Sequence, residues 1–272
     1  MNEDPAAYWN DARGWVRAQD SVDQWLSPIT AQLIEATAAA AGERAVDVGC
    51  GCGGSTLPLA ERVGPQGRVL GVDISAVMLD HGRTRTKDVE QVELVLADAT
   101  EHPFEPGWAD LVISRFGVMF FLDPVRAFSN IRAGMRPGGR LCMAVWQGIE
   151  RNEWINFIMQ AFPELESPVP DADAGPGPFS FSDPARVVEV LGGAGFSAIE
   201  PVPFTTSINL GDSVDLALET MSEVGPLSRV LAEAEEDQRP QLLARARAFL
   251  QEQYRTGPPL LEAAVWIVHA RA

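Results

Sequence analysis

Three carboxylates and a run of glycines are the groups here whose type and spacing could do chemistry. The segment Val46-Asp47-Val48-Gly49-Cys50-Gly51-Cys52-Gly53-Gly54 sets glycines between a short apolar run and a helix-like stretch. A ligand can press against bare backbone there, and a helix start can receive an anion. Asp47 stands two residues before the first glycine, Asp73 closes a second apolar run, and Asp98 closes a third in Ala97-Asp98-Ala99. A carboxylate at Asp47 can accept from an ammonium group, one at Asp73 from both hydroxyls of a ribose, and one at Asp98 from an adenine amine. Together they suit a cationic amino-acid nucleoside better than a pyrophosphate, which the charge on Asp47 would repel. By its glycines alone, Gly49-x-Gly51-x-x-Gly54 with Asp73 behind it also satisfies the dinucleotide fingerprint, so a nicotinamide cofactor stays open at this level.

Alternating strands and helices must hold these groups. Ala45 to Val48 is a short buried-strand pattern, followed by a helix from Ser55 to Val63 with Pro58 in its first turn, where proline is tolerated. A turn at Pro65-Gln66-Gly67 leads to a strand at Arg68 to Val72, a helix opened by Ser75 and a strand at Gln91 to Ala97. Asp110 to Arg115 reads as strand, Asp123-Pro124 opens a helix through Met135, and Pro137-Gly138-Gly139 turns into a strand at Arg140 to Trp146. Strands separated by helices imply a parallel sheet covered on both faces.

Flanking segments complete the plan. Residues 1–42 place Tyr8, Trp9, Trp15, Val16, Val22, Trp25 and Leu26 at loosely helical spacings ahead of a helix at Thr30 to Ala41, and are expected to form an N-terminal helical lid. Residues 43–148 form the cofactor-binding core, and 149–272 complete the sheet. That last part comprises a helix near Glu153 to Phe162, a Pro/Gly-rich loop from Pro163 to Pro178, a helix from Pro184 to Leu191 stopped by Gly192-Gly193, and strands at Ser197 to Ile208 and Leu260 to Ala270. Between those strands Val214 to Tyr254 is rich in Ala, Leu, Glu and Arg, so a helical cap inserted at about 212–255 is expected over a pocket.

Five segments in order resemble the class I S-adenosylmethionine-dependent methyltransferases, in the small-molecule branch of quinone-biosynthesis and natural-product tailoring enzymes. They are Val46 to Gly53, Gly71-Val72-Asp73-Ile74-Ser75, Ala97-Asp98-Ala99, Ala109 to Phe116, and Met135-Arg136-Pro137-Gly138-Gly139-Arg140-Leu141, so the resemblance covers about residues 44–147. It implies an α/β, Rossmann-like, seven-stranded and mostly parallel sheet with an antiparallel last strand, helices on both faces and helical cap segments. It implies S-adenosylmethionine as cofactor and S-adenosylhomocysteine as product. By the same resemblance Asp47, Gly49, Cys50, Gly51 and Gly53 hold the methionine part, Asp73 the ribose, Ile74, Asp98 and Ala99 the adenine, and Ser114 lies near the sulfonium. The expected reaction is methyl transfer to a small, aromatic or apolar metabolite at O, N or C, with Trp15, Arg115, Phe116, Met119 and Trp154 lining the acceptor pocket. No catalytic residue is assigned. A nicotinamide oxidoreductase and a non-catalytic cofactor-binding module are the competing readings; the common Tyr-x-x-x-Lys form of the first cannot be built from Tyr8, Tyr254 and Lys87.

Composition narrows the partners. With 272 residues, 46% apolar and 22% charged, the chain can bury a large core. A formal net charge of -17 disfavours nucleic acid and anionic membranes, and the apolar runs fall short of a bilayer span. An acidic start at Met1-Asn2-Glu3-Asp4-Pro5 does not read as a signal peptide, so a cytoplasmic monomer or homodimer acting on a small molecule is expected. Cys50 and Cys52 read as small fillers, Phe120 and Phe121 as core behind the fourth strand, and His81, His102 and His269 are scattered. No metal site is expected, because no close cluster of carboxylates and histidines remains beyond those given to the cofactor.

Overall fold

The computed structural model describes residue 9 and residues 12–163, 175–253 and 260–272. Two helices lead in, α1 (Arg13–Arg17) and α2 (Gln19–Ala36). Then β1 (Arg44–Val48), α3 (Thr56–Val63), β2 (Arg68–Asp73), α4 (Ala76–Thr86), β3 (Val92–Leu96) and β4 (Ala109–Arg115) alternate. A 3-10 turn at Gly117–Phe120 precedes α5 (Pro124–Ala133), β5 (Met135–Trp146), α6 (Glu153–Ala161), α7 (Pro184–Gly193) and β6 (Ser197–Asn209). Helices α8 (Val214–Glu223), α9 (Gly225–Glu233) and α10 (Arg239–Gln253) precede β7 (Leu260–Arg271).

The strands form one seven-stranded sheet in the order β3-β2-β1-β4-β5-β7-β6. β1 to β5 pair in parallel, whereas β7 runs antiparallel to both β5 and β6. Successive side chains along β1 and β4 go to opposite faces. Ala45, Leu111 and Ile113 pack with Ile34 of α2 and Leu59, Ala60 and Val63 of α3, while Val46, Val48 and Val112 join the larger cluster with Phe128, Ile131, Val187 and Leu191 on the other side. Both faces are therefore buried, which is why the middles of these strands are mostly apolar, with Asp47 and Ser114 the buried polar exceptions.

Helix starts follow their side chains. Ser75 accepts from the Met78 amide, Asp123 from Arg126 with Pro124 next to it, Asp183 from Ala185 with Pro184 next to it, and Ser213 from Leu216. The ends differ more from the sequence reading. α2 runs from Gln19 to Ala36 rather than from Thr30 to Ala41, and carries Pro28 in its interior. The Ser27 hydroxyl donates to the Gln24 carbonyl at 2.8 Å, satisfying the acceptor that Pro28 cannot reach. α5 stops at Ala133 and β5 begins at Met135, absorbing Pro137-Gly138-Gly139 into the strand with a register shift against β4. α7 passes through Gly192 to end at Gly193, and beyond the cap at Ala194 the left-handed residue is Gly195, with φ of 86°. There the Phe196 amide donates to Leu191 and the Gly195 amide to Gly192, a Schellman end. Of the expected Pro/Gly-rich loop, 164–174 lies outside the described residues, as do Tyr8 and Tyr254. No helix among the described residues is long and apolar enough to cross a membrane.

Candidate functional site

The glycine turn leaves the end of β1 and crosses directly over the end of β4. Gly49 has φ of 72°, and a Cβ placed on it would lie 2.6 Å from the Gly117 Cα; a Cβ on Gly117 would lie 2.7 Å from the Gly49 Cα. Neither position has room for a side chain. Asp73, at the end of β2, ties the turn down: its Oδ2 accepts from the Gly51 amide at 2.7 Å and its Oδ1 from the Ser75 amide at 2.8 Å. Beneath the turn Asp47 is fully buried, with Oδ2 accepting from the Ser55 hydroxyl at 2.8 Å and the Thr56 hydroxyl at 2.7 Å. Its Oδ1 is buried with no hydrogen-bond partner among the described residues.

Above the turn opens a cavity of about 660 Å³, within the range of roughly 300–1,000 Å³ usual for small-molecule sites. Gly49, Cys50, Gly51, Asp73, Ile74, Asp98 and Ala99 line it. Trp15, Arg115, Phe116, Met119 and Trp154 also line it. Three of the expected site residues do not. Asp47 lies under the turn, Gly53 faces Thr86 of α4, and Ser114 is fully buried with its hydroxyl donating to the Val48 carbonyl at 2.7 Å. Ser114 also accepts from the Val118 amide at 3.3 Å, so it pins β4 to β1 and to the following 3-10 turn rather than facing the cavity. Asp98 is exposed and accepts from the Thr100 amide at 2.7 Å, capping its own turn while lining the cavity. Phe120 and Phe121 pack against the core and line the cavity as well.

An aromatic ladder leads away from the turn. Phe116 stacks on Trp146 with centroids 4.1 Å apart and planes 10° apart, Trp146 lies 5.1 Å from Trp154, and Trp154 stacks 5.9 Å from Phe179. Trp146 and Phe179 carry no local sequence mark, because an aromatic at a strand end reads as core. Phe116 holds a left-handed backbone, φ of 70°, at the exit of β4. Such a conformation costs a non-glycine residue about 1–2 kcal/mol. Phe116→Gly is therefore expected to unfold at higher urea than Phe116→Ala, by about 1 kcal/mol, although both lose the stack; equal midpoints would mean that the strain is not there.

A methyltransferase-domain family model matches residues 45–139. A demethylmenaquinone methyltransferase from Staphylococcus saprophyticus is 30% identical over 176 residues, spanning 61% of this chain and 76% of that enzyme. The chain belongs to the S-adenosylmethionine-dependent methyltransferases. An uncharacterized 37.1 kDa protein of a Streptomyces fradiae transposon is 35% identical over 134 residues, 49% of this chain and 37% of that protein, so the chain spans little more than a third of that relative. The YcgJ protein of Bacillus subtilis shares the fold, with a TM-score of 0.57 at 14% identity over 89% of this chain and 97% of that one. The cofactor of this methyltransferase is S-adenosylmethionine, and the nicotinamide alternative falls.

The residues present fit that group. Gly49, Cys50 and Gly51 line the cavity, a side chain on Gly51 would run into Met78, which lines it too, and Asp47 beneath the turn keeps one carboxylate oxygen without a partner among the described residues. Burial pushes the Asp47 carboxyl up to about 6, against the pull of the Thr56 and Ser55 hydroxyls, and raises Asp73 against its backbone bonds to Ser75, Gly51 and Ile74. Burial also pushes the Cys52 thiol up to about 12 and Cys50 well above the usual thiol range, so both stay protonated and neither is a nucleophile. The methyltransferase has a charged group that local sequence does not reveal. Asp23 of α2 pairs with Arg85 of α4 at 2.5 Å, accepts from Gln19 at 2.8 Å and lies 3.8 Å from Arg115 of β4. Gln19 is one helical turn away on α2, whereas Arg85 and Arg115 lie 62 and 92 positions from Asp23, so only the fold brings those two to it. Among the described residues no group of three or more His, Cys, Asp or Glu is placed to hold a metal.

Proposed function

We propose that this methyltransferase transfers a methyl group to a small aromatic or apolar metabolite, at an oxygen, nitrogen or carbon atom. The observation that carries this is the continuity of one cavity from the glycine turn and Asp73 to Phe116, Trp146 and Trp154. When bound, S-adenosylmethionine supplies a methyl on a sulfonium, open to in-line displacement. In this reading Asp47 accepts from the ammonium of the methionine part, Gly49, Cys50 and Gly51 pack against it, and Asp73 accepts from the ribose hydroxyls. Ile74 covers the adenine, while Asp98 and Ala99 meet its edge. Phe116 and Trp146 present ring faces that favour cationic charge and exclude water, and Trp15, Met119 and Trp154 hold a flat acceptor in register. The chain thus contributes proximity, orientation and a dry site.

Two tests follow from this arrangement. An acceptor screen with donor labelled in its methyl group should show transfer to phenols, indoles or polyketide-like molecules. Trp154→Ala should lower kcat/KM for them about 10-fold, from lost stacking and packing, with cofactor affinity unchanged. Turnover confined to polar aliphatic amines would sink the aromatic reading, and tight cofactor binding with no transfer to any acceptor would favour a binding module. The second test uses Asp47. Its folded carboxyl titrates near 6, above its ordinary 3.8, so the folded protein keeps a proton that the unfolded chain has lost between those values. The stabilisation from that proton is complete below pH 3.8 and lost as pH rises through 6. An ammonium partner needs the ionised form, so cofactor affinity should fall about tenfold per unit as pH drops below 6. Asp47→Asn should flatten that slope; an equal slope in the variant would remove Asp47 from the role.

A further inference from the structure

Asn152 forgoes the bond that its position offers. It is the N-cap of α6, where an asparagine side chain ordinarily accepts from an amide of the first turn, yet it makes no such bond. Its side chain turns inward instead and is fully buried. Nδ2 donates to three carbonyls, Gly148 at 3.0 Å, Gln147 at 3.1 Å and Ala264 at 3.3 Å. Oδ1 accepts from the Ala264 amide at 3.0 Å and from the Trp154 indole Nε1 at 3.2 Å. Carbonyls at one end and N–H groups at the other let the amide fit only one way round, and both lone pairs of Oδ1 are engaged.

Four of these five contacts staple the exit of β5 to β7, as a purely structural asparagine would. The fifth reaches a ring that lines the cavity, although Asn152 itself does not line it. Trp154 is half-buried, and its neighbours hold it mainly by ring contacts: it stacks on Phe179, 5.9 Å away with planes 14° apart, and leans at 48° on Trp146, 5.1 Å away. Stacked faces let a ring slide and turn in its own plane; a directional bond to Nε1 opposes both. Trp146 ends β5 and stacks on Phe116, so Asn152 ties Trp154 to the strand that carries the next ring of the ladder. We infer that Asn152 is a positioning residue for methyl transfer: by holding Trp154 Nε1 against the junction of β5 and β7, it sets the plane on which a flat acceptor rests. This deepens the aromatic-acceptor reading above and rests on it. A small misplacement of the acceptor relative to the transferred methyl is costly, because in-line attack needs a near-attack geometry.

Magnetic resonance of the full chain, isotopically labelled at its tryptophan indole nitrogens, is the first half of the test. The Trp154 signal is identified by its disappearance in Trp154→Phe. In the unmodified protein its N–H should exchange with solvent at least about 10-fold more slowly than an exposed indole, and Asn152→Ala should abolish that protection. The second half is methyl transfer to naphthol and indole as acceptor probes. Asn152→Ala should lower kcat about fivefold, with acceptor KM and cofactor affinity changed less than about twofold. In the Trp154→Phe background, which keeps a ring but offers no N–H, the same substitution should leave kcat unchanged while still lowering the urea midpoint. An equal fall in kcat in both backgrounds would reduce Asn152 to a structural staple and overturn the proposal. Should Asn152→Ala not fold, an unprotected Trp154 indole in the unmodified protein, or parental kcat in Trp154→Phe, overturns it just as well. An unprotected indole beside active transfer removes Asn152 alone, whereas a protected indole with transfer to neither probe overturns the aromatic-acceptor reading and this proposal with it.

Discussion

Asp73→Ala is expected to weaken S-adenosylhomocysteine binding by more than 100-fold, measured by titration calorimetry on a protein that still unfolds cooperatively. The carboxylate does two things at once. It accepts from the Gly51 and Ser75 amides at 2.7 and 2.8 Å, fixing the glycine turn against the start of α4, and it lines the cavity where a ribose would lie. Removing it leaves two poorly solvated N–H groups without an acceptor, at about 1–3 kcal/mol each, before any contact to the ligand is counted. The first effect lowers stability; the second lowers affinity. Asp73→Asn separates them, because the amide oxygen can still serve one N–H while the amide NH₂ opposes the other. It should bind with intermediate affinity. If Asp73→Ala bound the product as tightly as the parent protein, the ribose role of Asp73 would be wrong whatever its effect on stability.

Gly49→Ala is the second large effect, and it should appear in unfolding as well as in binding. The added methyl would lie 2.6 Å from the Gly117 Cα, a backbone atom that cannot rotate away, and Gly49 itself sits at φ of 72°. Overpacking costs about 1–3 kcal/mol and a left-handed alanine about 1–2 more, so a loss of about 3 kcal/mol is expected in urea unfolding. Gly117→Ala meets the same crossing from the other side, 2.7 Å from the Gly49 Cα and 2.8 Å from the Val48 carbonyl, without the left-handed penalty. It should be milder by about 1 kcal/mol. Both variants should lose cofactor affinity together with stability, since both crossing residues line the cavity. A Gly49→Ala protein with parental stability and affinity would show that the crossing tolerates separation.

The strands were legible because both faces of the sheet are buried: short, mostly apolar cores such as Val46-Asp47-Val48 and Leu111-Val112-Ile113 recur between helical stretches, the first closing on glycine. Asp73 and the glycines were legible because their work is local to a strand end. Where the reading slipped, a residue served an unusual purpose. Pro28 looks like a helix break, yet Ser27 satisfies the carbonyl it abandons. Gly192-Gly193 looks like a stop, yet the left-handed residue is Gly195. Ser114, placed by resemblance near the sulfonium, spends its hydroxyl on Val48. Asp23, Arg85 and Thr30, which surround Arg115, had no signal at all, since long-range polar contacts among α2, α4 and β4 leave no periodicity in the chain.

Helices α8 to α10 leave the sheet after Asn209 and the chain re-enters it at Leu260, and these two residues are register partners on adjacent antiparallel strands. Topologically the whole excursion is the loop of a hairpin. Its two attachment points stay side by side whatever lies between them, so an exchange of this segment for another of different length leaves the strand pairing from Ile208 and Leu261 inward undisturbed. The methyltransferase can accordingly be regarded as a fixed chassis with a replaceable cartridge: the excursion brings Met221, Val224 and Pro226 to the cavity that Trp15, Phe116 and Trp154 also line, so grafting a relative's onto this hairpin should shift acceptor preference without re-engineering the donor half.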